Sequence, residues 1–437
     1  MILLGLATSI KLIFAIHIRE MGGILLAENA MRDIDYPTNH DMADRWRVLL
    51  SELGKAGSGP PLARQTGELV VLGAGLGRTD FTTEVEEELR SADYVFYCLY
   101  DILSQVWLHT VRPDAFDLYI LYSNNKDRYI TYVQMAEAML HYVRLGKKVV
   151  VVFYGHPGLF ATPAHRAIRI AKNEGFRARM RPGISALDHL IADVGFDPAI
   201  PGMLNYEASD FLLRRRNLDS SLHLVLWQVG LIGNFDFQDK GFNNHGFSLL
   251  VEVLEERYGS DWQVVNYIAS SFPAIPPTID ALYIKDLHRD DVRKTFTPLS
   301  TLYIPPQSDG FTDVNVARQL GMDVENMSGL NTSYSPGSIS EYGSTELAYL
   351  QLFDQVEVDR GYSLPAATPS MLTVLSMCSD VELISDYNKD PGIALRDNRF
   401  SRLSPRLRQL LAVQHVTAFE RLLFEASYED LREEASP

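Results

Sequence analysis

A cluster of tyrosines around one arginine is the first set of residues in this chain that could carry out chemistry. It comprises Tyr122, Arg128, Tyr129 and Tyr132. Tyrosine has an ordinary pKa of about 10, so it is a poor base unless a cation lies nearby. Arginine supplies that cation together with a planar set of donors. The cluster therefore favours removing a proton from a weak acid and holding the resulting oxyanion. An aromatic surface with cation–π contacts explains the same composition.

The turn YGHPG at Tyr154–Gly158 is a second candidate site, because it follows a predicted buried strand, Val149–Tyr154. Ligands bind at the carboxyl ends of strands in open α/β sheets. The two glycines of this turn let the backbone approach such a ligand. The turns Gly183–Ala186 and Trp227–Gly230 also follow predicted strands and could converge here. A loop with a structural histidine is the alternative interpretation.

A glycine-rich loop at Gly73, Gly75 and Gly77 lies between a predicted strand and a predicted helix. Its spacing is G-x-G-x-G, whereas the dinucleotide fingerprint is G-x-G-x-x-G. No acidic residue stands at the end of the next strand to hold a ribose. The loop therefore indicates either a tight turn at which some ligand approaches the backbone or a purely structural turn.

The composition excludes several classes of function. The chain has 437 residues and a formal net charge of -16, which argues against a general nucleic-acid binder, because phosphate binding needs a basic surface. Its two cysteines, Cys98 and Cys378, indicate neither a disulfide scaffold nor a cysteine metal site, and they fit a reducing cytoplasm. The histidines lack metal-site spacing, and the G-x-S-x-G motif of hydrolases is absent from the sequence.

The apolar residues 1–18 are the part of the sequence that a membrane could attract. A signal peptide would carry basic residues before its apolar run, and a membrane helix needs about 20 apolar residues. Neither description fits. We expect a non-essential extension or a helix docked on the surface, without stable membrane insertion.

Strands alternate with helices along two stretches, which predicts two α/β units with a parallel sheet in the first. The first stretch has strands Leu69–Leu72, Tyr94–Tyr97 and Val149–Tyr154, with helices Glu84–Ser91, Tyr132–Leu145 and Pro163–Glu174. The second has strands Leu222–Val229, Gln263–Ala269, Ala281–Ile284 and Ser300–Ile304, with helices Phe247–Tyr258 and Arg289–Lys294. A helical pattern follows later, at Ser370–Ser379, Val381–Tyr387 and Ser404–Leu423.

Six regions follow from these patterns and from the resemblance described next. They are an N-terminal extension with one short helix at 42–53 and a linker (1–66), two α/β subdomains (67–180 and 181–306), a clasp or linker (307–366), a small helical domain (367–424) and an acidic tail (425–437).

Several motif runs resemble the borosin peptide backbone α-N-methyltransferases, the omphalotin-type branch of the tetrapyrrole methylase superfamily. They are YVQMAE at 132–137, FYGHPG at 153–158, PAHRAI at 163–168, MRPGISA at 180–186, EASD at 207–210 and WQVG at 227–230. The resemblance covers about half the chain. It implies a two-domain class III methyltransferase fold that binds S-adenosylmethionine between two α/β domains and releases S-adenosylhomocysteine.

The resemblance also implies roles for individual residues. The pattern Tyr-x5-Arg-x3-Tyr falls on Tyr122, Arg128 and Tyr132, so that Tyr122 or Tyr132 would take an amide proton as a phenolate. Arg128 would stabilise the imidate oxygen and depress the phenol pKa, and Tyr154 would line the reaction site. The residues that fall on methyl-donor positions are Gly73, Gly75, Tyr154, His156, Leu159, Phe160, Ser185, Ala186, Gln228, Ser270, Ser300 and Thr301.

The C-terminal part implies a peptide substrate and a partner subunit. ELISDYNKDP at 382–391 resembles a precursor-recognition domain, and 307–366 would be a clasp that wraps the second subunit of a homodimer. The final residues, FEASYEDLREEASP, lack the Val/Ile/Gly-rich core of omphalotin-type substrates. The tail is therefore an unusual core, the core is lost or trimmed, or the substrate is a separate chain.

Two other functions fit parts of the pattern. A small-molecule methyltransferase acting on a tetrapyrrole-like substrate would use the same donor pocket, but it leaves residues 307–423 without an obvious role. A peptide-binding scaffold would use the helical domain and leave the methylase fold inert. The complete Tyr122, Arg128 and Tyr132 set favours an enzyme over the scaffold.

Overall fold

A computed structural model describes residues 39–55, 66–238, 244–308, 313–321, 344–357 and, with short gaps, 369–413. Contacts divide the chain into two compact units. One comprises residues 1–81 and 93–339, and the other comprises residues 82–92 and 340–437. All the residues proposed for chemistry or donor binding belong to the first unit.

The first sheet has five strands, all parallel, in the order β3-β2-β4-β1-β5. The strands are β1 Glu68–Gly73, β2 Tyr94–Cys98, β3 Phe116–Asp117, β4 Lys148–Phe153 and β5 Arg177–Met180. The central strands read as continuous apolar runs, such as KVVVVF in β4, because helices cover both faces of a parallel sheet. The prediction of a parallel α/β sheet is confirmed for this half.

Five helices are described up to the end of the first sheet. They are α1 Asn39–Lys55, α2 Thr83–Arg90, α3 Ile102–Val111, α4 Arg128–Arg144 and α5 Thr162–Asn173. Helix α2 is grouped with the second unit. Met135 and Met139 of α4 pack in one apolar core with Val149 and Val151 of β4. This packing fixes α4, and with it the tyrosine–arginine cluster at its beginning, against the sheet.

Helix α4 begins four residues earlier than the predicted start at Tyr132. The carboxylate of Asp127 accepts the Tyr129 N–H at 2.6 Å and caps the helix. Arg128 is therefore the first helical residue rather than a residue one turn before the helix.

The second sheet is mixed, with the order β6-β7-β10-β8-β9. Its strands are β6 Met203–Glu207, β7 His223–Trp227, β8 Gln263–Ile268, β9 Thr278–Tyr283 and β10 Thr301–Ile304. Only the β6–β7 pair is parallel, and the other three pairs are antiparallel. Strands and helices do not alternate strictly here, because β8 and β9 are joined by a turn without a helix. The helices of this half are α6 Ala186–Val194, α7 Ala208–Leu213, α8 Phe247–Tyr258 and α9 Asp290–Arg293.

Short helices account for most of the remaining described residues. They are α10 Val314–Gln319, α11 Ser344–Leu350, α12 Pro369–Met377, α13 Pro391–Ala394 and α14 Pro405–Val413. Phe400, Leu403 and Leu407 belong to a small apolar core in the second unit. Most of the predicted helix 381–387, and the residues 1–38 and 414–437, lie outside the described residues. None of the described helices is long and apolar enough to cross a membrane.

Candidate functional site

Three glycines bring the ends of β1, β4 and β5 into backbone contact. A Cβ atom added to Gly73 would lie 2.6 Å from the Gly155 carbonyl oxygen and 2.7 Å from the Gly183 Cα. A Cβ added to Gly183 would lie 2.6 Å from the Gly73 Cα. Real Cβ atoms do not approach backbone this closely, so the three turns meet only because Gly73 and Gly183 lack side chains. The expected convergence of these strand-end turns is confirmed for Gly183.

The glycine-rich loop is joined to the turn after β4 by a backbone pair. The Gly155 N–H donates to the Gly75 carbonyl at 2.7 Å. Both glycines adopt left-handed φ angles, 67° at Gly75 and 66° at Gly155, which other residues rarely adopt. Asp80 then closes the loop by accepting the Leu76 N–H at 2.8 Å and pairing with His189 at 2.8 Å. The loop is thus a tight turn in close backbone contact with the turn after β4, and the approach of a ligand to it stays a prediction.

The turn after β4 is held by its own histidine. The Gly158 N–H donates to His156 Nδ1 at 2.9 Å, so this ring nitrogen acts as the acceptor. The ring of His165 donates to the Gly158 carbonyl at 2.9 Å. These bonds leave Leu159 and Phe160 at the exposed end of the turn.

Phe160 and Gln228 share an unusual backbone conformation. Their φ angles are 53° and 57°, in the left-handed region that glycine favours. Such strain in bulky residues is found preferentially at ligand-binding sites. The Phe160 ring lies 5.8 Å from the ring of Trp227, the neighbour of Gln228. The structure therefore brings two proposed donor residues from different sheets to one place, whereas Gly230 packs on the Thr297 carbonyl.

Several other proposed donor residues have hydroxyls that serve the fold. Ser185 caps α6 through Asp188, beside Ala186. The Ser300 hydroxyl accepts the Thr297 N–H at 3.0 Å, and Thr301 is buried in the β10 ladder. These side chains have little surface to offer a ligand.

A cavity of about 250 Å³ lies on the far side of the glycine-rich loop. Gly77, Asp80, His189, Asp193, Ser270 and Ser271 are among its lining residues. Ser270 is the only proposed donor residue in this wall, and the tyrosine–arginine cluster does not border the cavity. The strand-end turns and the strained backbone locate the candidate site better than this cavity does.

Arg128 is fixed by a loop that follows β7. Its N–H donates to the Phe235 carbonyl at 3.0 Å, and its guanidinium donates to the Asn234 carbonyl. The ring of Tyr122 lies 5.0 Å from that of Phe237. Residues 125–128 therefore run beside residues 234–237, and the two α/β halves meet at the arginine.

Tyr122, Tyr132 and Tyr154 lie close together. Tyr122 shares a hydrogen bond with Tyr132, and the charges of Tyr132, Tyr154 and Cys98 would all oppose ionisation of Tyr122. Burial is the largest cause, and it raises the pKa of Tyr122 far above its ordinary value. The pKa of Tyr122 is therefore raised rather than depressed, because desolvation is the largest cause. The lowering of the pKa of the proton-accepting phenol by Arg128 stays a prediction.

The pKa of Tyr154 is also raised above its ordinary value. Burial among protein atoms raises its pKa most, followed by Cys98, Tyr132 and Tyr100, and Arg128 lowers it only slightly. Yet 45% of the Tyr154 surface is exposed. A side chain in an open cleft can be surrounded by protein atoms and still be reached by solvent. Both phenols are protonated at neutral pH.

Asparagines and one serine position the arginine, and the sequence did not single them out for this. Asn244 donates to the Val229 carbonyl at 2.8 Å and accepts the Ile232 N–H at 3.2 Å. Ser209 accepts the Gly233 N–H at 3.2 Å. These bonds hold the loop so that the Asn234 carbonyl faces Arg128. Ser209 lies in the motif run 207–210, which was the only signal available.

Comparison with known proteins places this geometry in a family. The family model of the Tetrapyrrole (Corrin/Porphyrin) Methylases matches residues 68–265. The chain is 38% identical to a methyltransferase/ribosomally synthesized type III borosin cyclic peptide precursor of Anomoporia bombycina, over 76% of this chain and 40% of that protein. It therefore spans less than half the length of that relative.

Two further relatives are covered more completely. The chain is 38% identical to a methyltransferase/ribosomally synthesized cyclic peptide gymnopeptides precursor of Gymnopus fusipes, over 75% of this chain and 80% of that protein. It is 43% identical to the omphalotin A precursor of Omphalotus olearius, also named a methyltransferase, over 59% of this chain and 62% of that protein. With the parallel sheet, the converging glycine turns and this level of identity, the chain belongs to the borosin family of methyltransferase/cyclic peptide precursors, on the tetrapyrrole methylase fold, and is a methyltransferase.

Proposed function

We propose that this protein is an S-adenosylmethionine-dependent α-N-methyltransferase that modifies backbone amides of a peptide. The observation that carries the proposal is the joint placement of Tyr122, Arg128, Tyr132 and Tyr154 beside the strand-end turns. Relatives named as methyltransferase and cyclic peptide precursor in one chain support a peptide substrate.

The residues at the strand ends fit a methyl donor. Gly73, Gly155 and Gly183 present backbone without side chains, and a Cβ on Gly73 or Gly183 would fill the space between the turns. Phe160 and Gln228 are held in strained conformations next to Trp227. When bound, S-adenosylmethionine supplies an electrophilic methyl group and leaves as S-adenosylhomocysteine. We assign donor binding mainly to the backbone of these turns, His156, Leu159, Phe160 and Gln228.

The cluster handles the proton and the oxygen of the amide. An amide nitrogen is a poor nucleophile, so its proton must leave as the new carbon–nitrogen bond forms. Tyr122 or Tyr132 takes this proton as a phenolate. Because its pKa is raised, the Tyr122 phenolate is rare at neutral pH but is a strong base when it forms. Arg128 holds the imidate oxygen, and Tyr154 borders the reacting atoms.

An exposed apolar surface beside the catalytic cluster fits a partner subunit. Exposed apolar residues flank Arg128: Tyr129 is 59% exposed, Ile130 51% and Phe235 54%. Patches of this kind mark interaction surfaces, which supports a homodimer of this chain. The peptide is the chain's own C-terminal segment or a separate precursor. We place the protein in the cytoplasm on its cysteine usage.

A small-molecule methyltransferase is the second candidate and is not favoured. Only the match to the tetrapyrrole methylase family model supports it.

The peptide and small-molecule functions can be separated by incubating the full chain with methyl-labelled S-adenosylmethionine in three arms: alone, with a synthetic Val/Ile/Gly-rich peptide, and with a porphyrin. We expect label on the chain or on the peptide. Label on the porphyrin alone would contradict the proposal, and the absence of any donor binding by calorimetry would remove both enzymatic functions.

A further inference from the structure

Tyr100 lies beside Tyr154 because their strands are neighbours. Cys98 at the end of β2 is in register with Phe153 at the end of β4, and the Tyr154 N–H donates to the Cys98 carbonyl at 3.1 Å. Tyr100 follows two residues after Cys98. Its ring centre lies 5.5 Å from that of Tyr154, at an interplanar angle of 83°. This edge-to-face geometry is a favourable and directional contact.

Ring packing is what orients Tyr154. Within residues 66–238 and 244–308, the structure gives its hydroxyl no hydrogen-bond partner, so that the group is available to a ligand. A half-exposed tyrosine without such a bond keeps one orientation only if its ring is held. Tyr100 is the aromatic side chain in ring contact with it.

Tyr100 is itself fixed at its other end. Its hydroxyl shares a hydrogen bond with Ser271, in the turn between β8 and β9. The Ser271 carbonyl packs so closely on Gly77 that a Cβ there would lie 2.1 Å away. The neighbouring Ser270 hydroxyl bonds both the N–H and the carbonyl of Phe272, at 3.2 and 2.9 Å. The hydrogen bond from Tyr100 therefore reaches a turn of the second α/β half that these contacts hold in place.

We propose that Tyr100 is a positioning residue, which Ser271 holds so that its ring keeps Tyr154 directed toward the amide during methyl transfer. This inference rests on the proposed function. Tyr100 does not touch the reacting atoms in this account, and it acts only through Tyr154. A misplacement of a reacting group by about 1 Å can cost on the order of 100-fold in rate.

Four variants of the full chain test the proposal. Tyr100→Phe removes only the hydroxyl, Ser271→Ala removes its partner, and the double variant removes both. Tyr283→Phe removes a hydroxyl from a side chain that is 43% exposed at the end of β9 and serves as the control. Methyl transfer is followed with labelled S-adenosylmethionine on the chain and on the Val/Ile/Gly-rich peptide, over a range of donor concentrations, with the melting temperature measured in parallel.

We expect Tyr100→Phe and Ser271→Ala each to lower the rate at saturating donor by about 10- to 100-fold. The donor concentration for half-maximal rate should change less than about twofold, and the double variant should resemble either single variant, because both changes break one tether. If Tyr100 had a purely structural role, these substitutions would instead weaken donor binding and lower the melting temperature together with the rate.

Two results would overturn the inference. One is a wild-type rate of methyl transfer in Tyr100→Phe, and the other is a loss of rate in the double variant equal to the product of the two single losses. Either result counts only if the wild-type chain is active. A wild-type chain that transfers no methyl group to either acceptor would contradict the proposed function itself, so the two failures are distinguishable.

Discussion

The guanidinium of Arg128 donates a hydrogen bond to the backbone carbonyl of Asn234. The two residues are 106 positions apart, and they belong to different α/β halves. The contact joins the start of α4 to the loop after β7, and it sets the direction of the only positive charge in the proposed catalytic set. Its consequence is that the arginine is oriented before any substrate arrives, which is the condition for electrostatic stabilisation of an oxyanion.

Replacing Arg128 tests its proposed role. We expect Arg128→Ala to lower the methyl-transfer rate by about 100-fold or more, because one preorganised donor to an oxyanion is worth about 10²–10³ in rate. Arg128→Lys keeps the charge but loses the planar fork, so it should recover only part of the activity. Arg169→Ala, at an exposed site on α5, is the matched control. An Arg128→Ala variant with wild-type rate would remove the arginine from the mechanism.

The raised pKa of Tyr122 predicts the dependence of the rate on pH. The phenolate fraction grows about tenfold per pH unit below the pKa, so the rate should keep rising beyond pH 9 without a plateau. Unfolded tyrosine ionises near its ordinary pKa of about 10, and a raised folded pKa then favours unfolding at still higher pH. Rates should therefore be measured below about pH 10, with circular dichroism as the check of folding.

A plateau below pH 9 would mean that the base has a pKa below the ordinary tyrosine value of about 10. In that case Tyr122 is not the base, and Tyr122→Phe should leave the shape of the profile unchanged.

Adding one methyl group to Gly73 should damage both the fold and the donor site. The new Cβ would lie 2.6 Å from the Gly155 carbonyl oxygen and 2.7 Å from both the Gly183 Cα and the Pro157 Cδ. Because two of the three nearest neighbours are backbone atoms and the third is in the Pro157 ring, none can move away easily. We expect Gly73→Ala to lower the free energy of unfolding by about 1–3 kcal/mol, as measured by denaturant titration. Calorimetry should show weaker binding of S-adenosylmethionine.

The control for this change is a glycine with free space around it. Gly54 lies in helix α1 with no atom within 4 Å of the added Cβ. Gly54→Ala should therefore raise the free energy of unfolding by about 0.5–1 kcal/mol. Equal effects of both substitutions would contradict the close approach at Gly73.

Asn266 offers a stabilising substitution. Its side chain is fully buried in β8, and both its amide nitrogen and oxygen lack a hydrogen-bond partner among the described residues. An unpaired buried polar group costs about 1–3 kcal/mol. We expect Asn266→Leu, of similar size, to raise the free energy of unfolding by a comparable amount.

Asn205→Leu is the matched comparison and should have the opposite sign. The Asn205 side chain accepts the indole N–H of Trp227, so its loss leaves a buried donor unpaired. Destabilisation by Asn266→Leu would show that this amide is paired in solution.

The elements that the sequence predicted well are those with strong local signals. The run VVVV in β4 is typical of a buried parallel strand. Gly73 and Gly183 lie where a Cβ has no space, and Gly155 has a left-handed φ angle, so each of these glycines has a local cause. Strand β6, with the sequence MLNYE, is half-buried throughout and lacks an apolar run, which is why it was missed.

The geometry of the candidate site depends on information that residue types do not carry. The acceptor for Arg128 is a backbone carbonyl, which every residue possesses. The beginning of α4 depends on Asp127, a capping residue hidden in the polar run NNKD. The pKa of Tyr122 depends on burial by residues from several elements, and the charge of a neighbour in sequence did not predict its direction.

The most direct test of the central claim is tandem mass spectrometry of the products. The full chain, incubated with S-adenosylmethionine alone and with the Val/Ile/Gly-rich peptide, should gain mass in steps of one CH2. Fragmentation should place each methyl group on a backbone nitrogen, and the steps should disappear in Arg128→Ala. Methyl groups found only on side chains, or steps that persist unchanged in Arg128→Ala, would contradict the account.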